Sequence, residues 1–91
     1  MTQKSVKIIN RLGMHARPAA MFVSHATRFK AEIELEKDGL RINGKSIMGV
    51  MMLAAEMGAE LIIFANGEDE DEAVEALADL INTGFGDLKD L

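Results

Sequence analysis

Residues 31–43, AEIELEKDGLRIN, constrain the fold of this chain more than any other stretch. Ile33 and Leu35 alternate with glutamates, the period of a strand with one apolar and one solvated face. Asp38-Gly39 then predicts a two-residue hairpin turn, because both of its positions must accept positive φ. Leu40 and Ile42 carry the return strand, and Asn43-Gly44 stops it. An antiparallel pair of this kind is covered on its apolar face alone.

The remaining segments supply the cover. Residues 4–9, KSVKII, read as a strand with Val6 and Ile8 facing inward, and Gly13 permits a turn. From Ala16 to Phe29 the apolar residues Ala19, Phe22, Val23, Ala26 and Phe29 recur at three and four, as on a helix with one buried face. Ser46 stands where an N-cap belongs, before a short helix expected to stop at Gly58. ELIIFA is apolar enough for a central strand. After a turn at Asn66-Gly67, a last helix runs from about Asp69 to Phe85, with Ala73, Leu77, Leu80, Ile81 and Phe85 as its buried stripe. The carboxylates of EDEDE complement the positive end of that helix. The order βαββαβα predicts an α+β fold with one mostly antiparallel sheet and all helices on one face. A chain of 91 residues makes one domain over 1–91, too short for two cores. Residues 87–91, DLKDL, read as a frayed tail.

Composition removes whole classes of chemistry. There is no cysteine, which excludes disulfides, thiol catalysis and thiolate metal sites. A small domain that folds without such staples fits a cytoplasmic setting. A net charge of −5 opposes general affinity for nucleic acid or anionic membrane. MTQKSVKIIN lacks the apolar core of a signal peptide, and no run approaches the ~20 apolar residues that span a bilayer.

One stretch carries chemistry. LGMHARPAAM, at 12–21, holds the only proline and one of two histidines. His15 falls at or next to the N-cap of the first helix, with Ala16, Arg17 and Pro18 in its opening turn. Proline is tolerated there because first-turn N–H groups have no helical partner to lose. The N–H groups of Ala16 and Arg17 would form an anion receptor, and the Arg17 guanidinium suits phosphate oxygens. A neutral imidazole can attack phosphorus, so the parts describe a nucleophile beside an oxyanion receptor. The same local chemistry also fits a solvent-exposed loop histidine beside a solvated arginine. A metal site shared by His15 and His25 is excluded, since ten residues of helix separate them by about 15 Å.

GMHARPAA, followed downstream by NGKSIMGVMML, resembles the HPr phosphocarrier family of the bacterial phosphoenolpyruvate:sugar phosphotransferase system. The likeness extends along the chain, from the strand before the histidine to the terminal helix. It implies an open-faced β-sandwich, with a four-stranded antiparallel sheet and three helices on one side. It implies a carrier rather than an enzyme, acting without cofactor or metal. His15 would accept a phosphoryl group from phosphorylated enzyme I, on the nitrogen nearer the main chain, and pass it to enzyme IIA proteins. Arg17 would stabilise the phosphorylated state, and Pro18 would set the helix start.

Ser46 is explained by capping alone, worth ~1 kcal/mol. Within NGKSIMG it also resembles the regulatory serine modified by HPr kinase/phosphorylase. Val50 and Leu53 are expected in the core, which leaves Ile47, Met48 and Met51 partly exposed. The resemblance makes these residues a docking face together with Ala20, Ser24 and Thr27, on a protein expected to be a monomer. Many family members carry lysine or arginine at the positions of Ser24 and Thr27, and Arg28 projects ~100° away from Thr27. Two alternatives therefore stand beside sugar transport: a nitrogen-related phosphotransferase branch, and a protein-binding regulator without phosphoryl chemistry. Regulators of that second kind in the family have lost the histidine, which this chain retains.

Overall fold

The computed structural model describes residues 1–86, so the DLKDL segment lies outside the described residues. Its elements are β1 (Thr2–Lys7), α1 (Ala16–Ala26), β2 (Glu32–Lys37), β3 (Leu40–Asn43), α2 (Ile47–Met52), β4 (Glu60–Asn66) and α3 (Glu70–Asn82). The hairpin between β2 and β3 closes on the Lys37–Leu40 pair, with Asp38 and Gly39 at φ 51° and 86°, as its turn type requires.

The sheet order is β1-β4-β2-β3, and every neighbouring pair is antiparallel. β4 occupies a central place because both of its faces are apolar. Leu61, Ile63 and Ala65 are buried in the main core, while Phe64 on the opposite face is only 6% exposed. The Arg41 guanidinium covers that ring at 3.7 Å, itself paired with Glu34 and Glu36 at 3.4 and 3.3 Å. On the other face, Val6, Ile33, Leu35, Leu61 and Ile63 share one cluster with Phe22, Val50, Leu77, Ile81 and Phe85. The three helices therefore cover one side of an open sheet, in an α+β fold.

Boundaries differ from the sequence reading where distant contacts decide them. β1 lies two residues earlier than 4–9, in register with β4 from Thr2–Ala65 to Lys7–Glu60; Ile8 is buried all the same. α1 stops at Ala26 rather than Phe29. The Phe29 N–H bonds Ala26 in a tightened turn, and the next two N–H groups, of Lys30 and Ala31, donate to the Asp69 carboxylate at 2.9 and 2.8 Å. The Lys30 N–H is the main reason that the Asp69 carboxyl titrates below its usual value. α3 ends at Asn82, three residues short of Phe85. Gly84 at φ 65° lets the Phe85 N–H reach back to the Leu80 carbonyl at 2.8 Å, which seats the Phe85 ring in the core.

α2 ends at Met52, so the expected stop at Gly58 is corrected. Gly58 (φ +91°) belongs to the turn before β4, where its N–H donates to the Ile8 carbonyl at 2.7 Å. The residue that breaks α2 is Ala54, held at φ 49° without being glycine. An L-residue with a Cβ is disfavoured there by roughly 1 kcal/mol. Ala54→Gly is expected to stabilise the fold by about that amount, raising the melting temperature by roughly 4–8 °C. A lower melting temperature would show that the left-handed conformation does not persist in solution.

Glu70 ties the first strand to the last helix. Its carboxylate accepts from the Thr2 hydroxyl at 2.7 Å, from the Met1 ammonium at 3.0 Å and from the Gly67 N–H at 3.2 Å. These donors, the Thr2 hydroxyl foremost, lower its pKa from 4.5 to about 2. A depressed folded pKa contributes stability above the unfolded value, lost as pH falls through the folded one. Denaturant titrations should therefore show stability declining between pH 4.5 and about 2, with a shallower decline in Glu70→Gln. Parallel curves for the two proteins would remove Glu70 from that dependence.

Candidate functional site

The loop from Ile8 to His15 is fastened at each end before the first helix begins. The Ile8 N–H donates to the Ala59 carbonyl at 2.9 Å, and the Met14 N–H donates to the Ala55 carbonyl at 2.8 Å. Between them the Asn10 amide donates to the Gly13 carbonyl at 2.8 Å, and the Gly13 N–H returns to the Asn10 carbonyl. Gly13 adopts φ +70°, and a Cβ there would lie 2.3 Å from the Ala55 carbonyl oxygen. Met14 is 4% exposed and anchors the loop in the core. His15 is therefore delivered by a short chain clamped against the segment that follows α2.

His15 is the N-cap of α1, in extended backbone, and its carbonyl accepts from the Ala19 N–H at 2.9 Å. Its side chain makes no capping hydrogen bond, and the first turn holds no acidic residue. Both other helix starts are occupied. The Ser46 hydroxyl accepts from the Gly49 N–H at 3.1 Å, and Glu70, Asp71 and Glu72 crowd the opening of α3. At α1 the N–H groups of Ala16 and Arg17 have no helical carbonyl to donate to, and among the described residues the first turn places no carboxylate at the positive end of the helix. Both residues are exposed, while Pro18 behind them is buried and contributes no N–H of its own. The start of α1 is suited to binding an anion.

The imidazole is half-buried and unequal at its two nitrogens. Nε2 is sealed from solvent and has no hydrogen-bond partner. A nitrogen sealed in this way is closed to an incoming group, whereas Nδ1, the nitrogen nearer the main chain, is not among the buried unpaired atoms. His25 lies further along α1 with Nδ1 2.8 Å from the Met21 carbonyl, a contact within its own helix. Among the described residues no group of three or more histidines, cysteines or carboxylates is placed to hold a metal ion.

α1 packs beside α2, which brings the other residues singled out from the sequence onto adjacent helices. Ala20 and Ser24 are exposed on α1. Thr27 is exposed too, but as the C-cap beyond the last helical residue, with its hydroxyl donating to the Ser24 carbonyl at 3.0 Å. Val50 on α2 and Leu53, its C-cap, are buried, while Ile47, Met48 and Met51 are 44%, 73% and 41% exposed. Met52, which shares the three-and-four spacing of Met48 and Met51, is 67% exposed, and Met57 beyond the helix, not singled out from the sequence, is 56% exposed. A helix of six residues, apolar on most sides, cannot turn every side chain inward.

Comparison with known proteins shows the family and agrees with the fold. The family described as "PTS HPr component phosphorylation site" matches residues 2–83. "Phosphocarrier protein HPr" of Neisseria meningitidis is 49% identical over 87 residues, covering 96% of this chain and 98% of that protein. "HPr-like protein Crh" of Bacillus subtilis is 51% identical over 78 residues, covering 86% and 92%. The crystal structure of HPr-C-His from Thermoanaerobacter tengcongensis superposes with a TM-score of 0.92 at 46% identity, over 96% of this chain and 98% of that one. An HPr dimer from the same organism has also been solved, and matches with a TM-score of 0.76 at 46% identity over 96% of this chain and all of that one. No helix among the described residues is long and apolar enough to cross a membrane.

Proposed function

The chain belongs to the HPr family of the phosphotransferase system, and on that premise we propose that it carries a phosphoryl group on His15 Nδ1 between phosphorylated enzyme I and enzyme IIA proteins. The observation that supports this reading is a histidine at an uncapped helix start whose Nε2 is sealed from solvent. The Nδ1 lone pair attacks phosphorus, the N–P bond forms, and the bond from phosphorus to the donor breaks with its electrons leaving on the donor. Negative charge on the phosphoryl oxygens is met by the Ala16 and Arg17 N–H groups and by the Arg17 guanidinium. Pro18 sets the helix start without occupying the receptor. Transfer to the acceptor reverses the same steps, so the protein is the phosphorylated intermediate and not a catalyst.

The partners share one surface in this reading. Ala20, Ser24 and Thr27 on the α1 side and Ile47, Met48 and Met51 on α2 form the docking face, and every residue of the site comes from one chain, which makes the monomer the proposed unit of transfer. Incubation with enzyme I and phosphoenolpyruvate, then with a panel of IIA proteins, tests it directly. An 80 Da gain on this chain followed by its transfer to at least one acceptor supports the carrier; no gain removes it.

Ser46 is the proposed regulatory position. A phosphate on its hydroxyl would keep the favourable helix start and place two negative charges beside the exposed methionines, so docking rather than folding should respond. HPr kinase/phosphorylase with ATP should add one phosphate to the wild type and none to Ser46→Ala by intact mass. Equal addition to both would move the site elsewhere.

One observation favours a second reading. The uncharged Ser24 and Thr27, with a match to Crh as close as the match to HPr, fit a regulatory branch not coupled to sugar uptake. The acceptor panel separates the two, because a carrier of that branch would pass its phosphate to a regulator and leave sugar-specific IIA proteins unlabelled.

A further inference from the structure

With no cysteine in the chain, methionine is its only sulfur, and the seven methionines are unevenly placed. Met14 is 4% exposed in the core, and Met21 is half-buried. Met48, Met51, Met52 and Met57 are 73%, 41%, 67% and 56% exposed, all within ten residues of α2 and the segment after it. Leucine or isoleucine would present as much apolar surface at these positions, as Ile47 does. Only the thioether also reacts with hydroperoxides. Exposure decides which thioethers are reached first, and a core methionine is protected by the same packing that it stabilises.

We propose that Met48, Met51, Met52 and Met57 are a reversible oxidation site, and that their conversion to sulfoxides by hydrogen peroxide suspends docking at α2. The sulfur lone pair attacks one peroxide oxygen, the S–O bond forms and the O–O bond breaks. The departing hydroxide takes the remaining proton and leaves as water. Sulfur is oxidised by two electrons and the peroxide reduced by two. Dithiol-driven methionine sulfoxide reductases return the thioether, with the dithiol oxidised to a disulfide and the oxygen leaving as water. A sulfoxide is a strong acceptor dipole on what was a soft apolar surface, so a partner seated there would bury it without a donor. The fold is spared because Val50 and Leu53 hold α2 to the core, and both lack sulfur.

This inference rests on the docking role of α2 proposed above. The test treats the intact protein with graded hydrogen peroxide, maps sulfoxides by peptide mass and measures the initial rate of phosphoryl transfer from phosphorylated enzyme I. Sulfoxides are expected at 48, 52 and 57 before 14 and 21. Transfer should fall about tenfold or more at an unchanged melting temperature, and recover after methionine sulfoxide reductases A and B with dithiothreitol. A combined Met48→Leu, Met51→Leu, Met52→Leu and Met57→Leu protein, whatever its starting rate, should not slow further on peroxide treatment. Met1, 69% exposed and lining the open-face hollow with Phe64, oxidises alongside them and shows by its retention in that protein whether the peroxide dose was effective. Undiminished transfer by the oxidised wild type, or equal slowing of the four-leucine protein, overturns the proposal. Met48→Asp with Met51→Asp separates the two layers. If that protein is slow while oxidation is harmless, the oxidation site falls and the docking face stands; if neither matters, both fall.

Discussion

Replacing His15 with alanine is expected to lower the rate of phosphoenolpyruvate-dependent labelling by at least about a thousandfold while leaving the fold intact. The two halves of that expectation have separate physical sources. Among the described residues 15–18 that open α1, the imidazole is the only side chain with a nucleophilic lone pair, since the Arg17 guanidinium offers donors only. Loss of the ring therefore removes the chemistry from this helix start. Structurally the ring contributes little. It makes no capping bond, and its buried Nε2 is unpaired, so alanine removes an unsatisfied polar atom rather than a hydrogen bond. Thermal unfolding of His15→Ala should lie within a few degrees of the wild type. Labelling at an undiminished rate would place the phosphate on another residue.

The second large effect is structural and reaches the site indirectly. Gly13→Val is expected to cost about 3 kcal/mol, lowering the melting temperature by more than about 10 °C. Two strains combine there. The backbone at φ +70° disfavours any side chain, and the new Cβ would meet the Ala55 carbonyl oxygen at 2.3 Å and the Glu56 Cα at 2.8 Å. Both are main-chain atoms and cannot rotate aside. Relief requires the loop to part from Ala55, which breaks the Met14 N–H bond and disturbs the adjoining N-cap residue His15. Phosphoryl transfer should slow even at temperatures where the variant is folded. Gly39→Ala is the matching control, because Gly39 has φ +86° but open space around its Cβ position. It should cost only about 1 kcal/mol and leave transfer unchanged. Equal costs at the two glycines would mean that the clamp at Ala55 does not hold the loop.

These two residues mark the line between what the sequence discloses and what it withholds. His15, Pro18 and Ser46 are legible because a helix start is a local event: cap, opening turn and proline lie within a few residues. The hairpin is legible for the same reason, since Asp38-Gly39 both makes the turn and sets the register. The helix ends are not. α1 stops at Ala26 because Asp69, about forty residues on, captures the N–H groups of Lys30 and Ala31. α2 stops at Met52 because the chain beyond it turns at Ala54 to offer the Ala55 carbonyl to Met14. Nothing in LAAEMG indicates that its backbone is committed to a loop forty residues earlier, and Gly58 was the more visible stop. Phe64 follows the same rule. An apolar strand reads as central, but its outward aromatic is covered by an arginine from β3 that only the sheet order brings into reach. The sealed Nε2 of His15 is likewise a product of packing, and the proposed reaction at Nδ1 takes its direction from it.

The most direct measurement follows from that asymmetry. The protein, labelled with ¹⁵N in its histidines, is phosphorylated with enzyme I and phosphoenolpyruvate, and the imidazole nitrogens are followed by long-range ¹H–¹⁵N correlation with phosphorus coupling. The account predicts a single N–P coupling, on Nδ1 of His15, with Nε2 and both nitrogens of His25 uncoupled. Coupling at Nε2, at His25, or at neither histidine would contradict it.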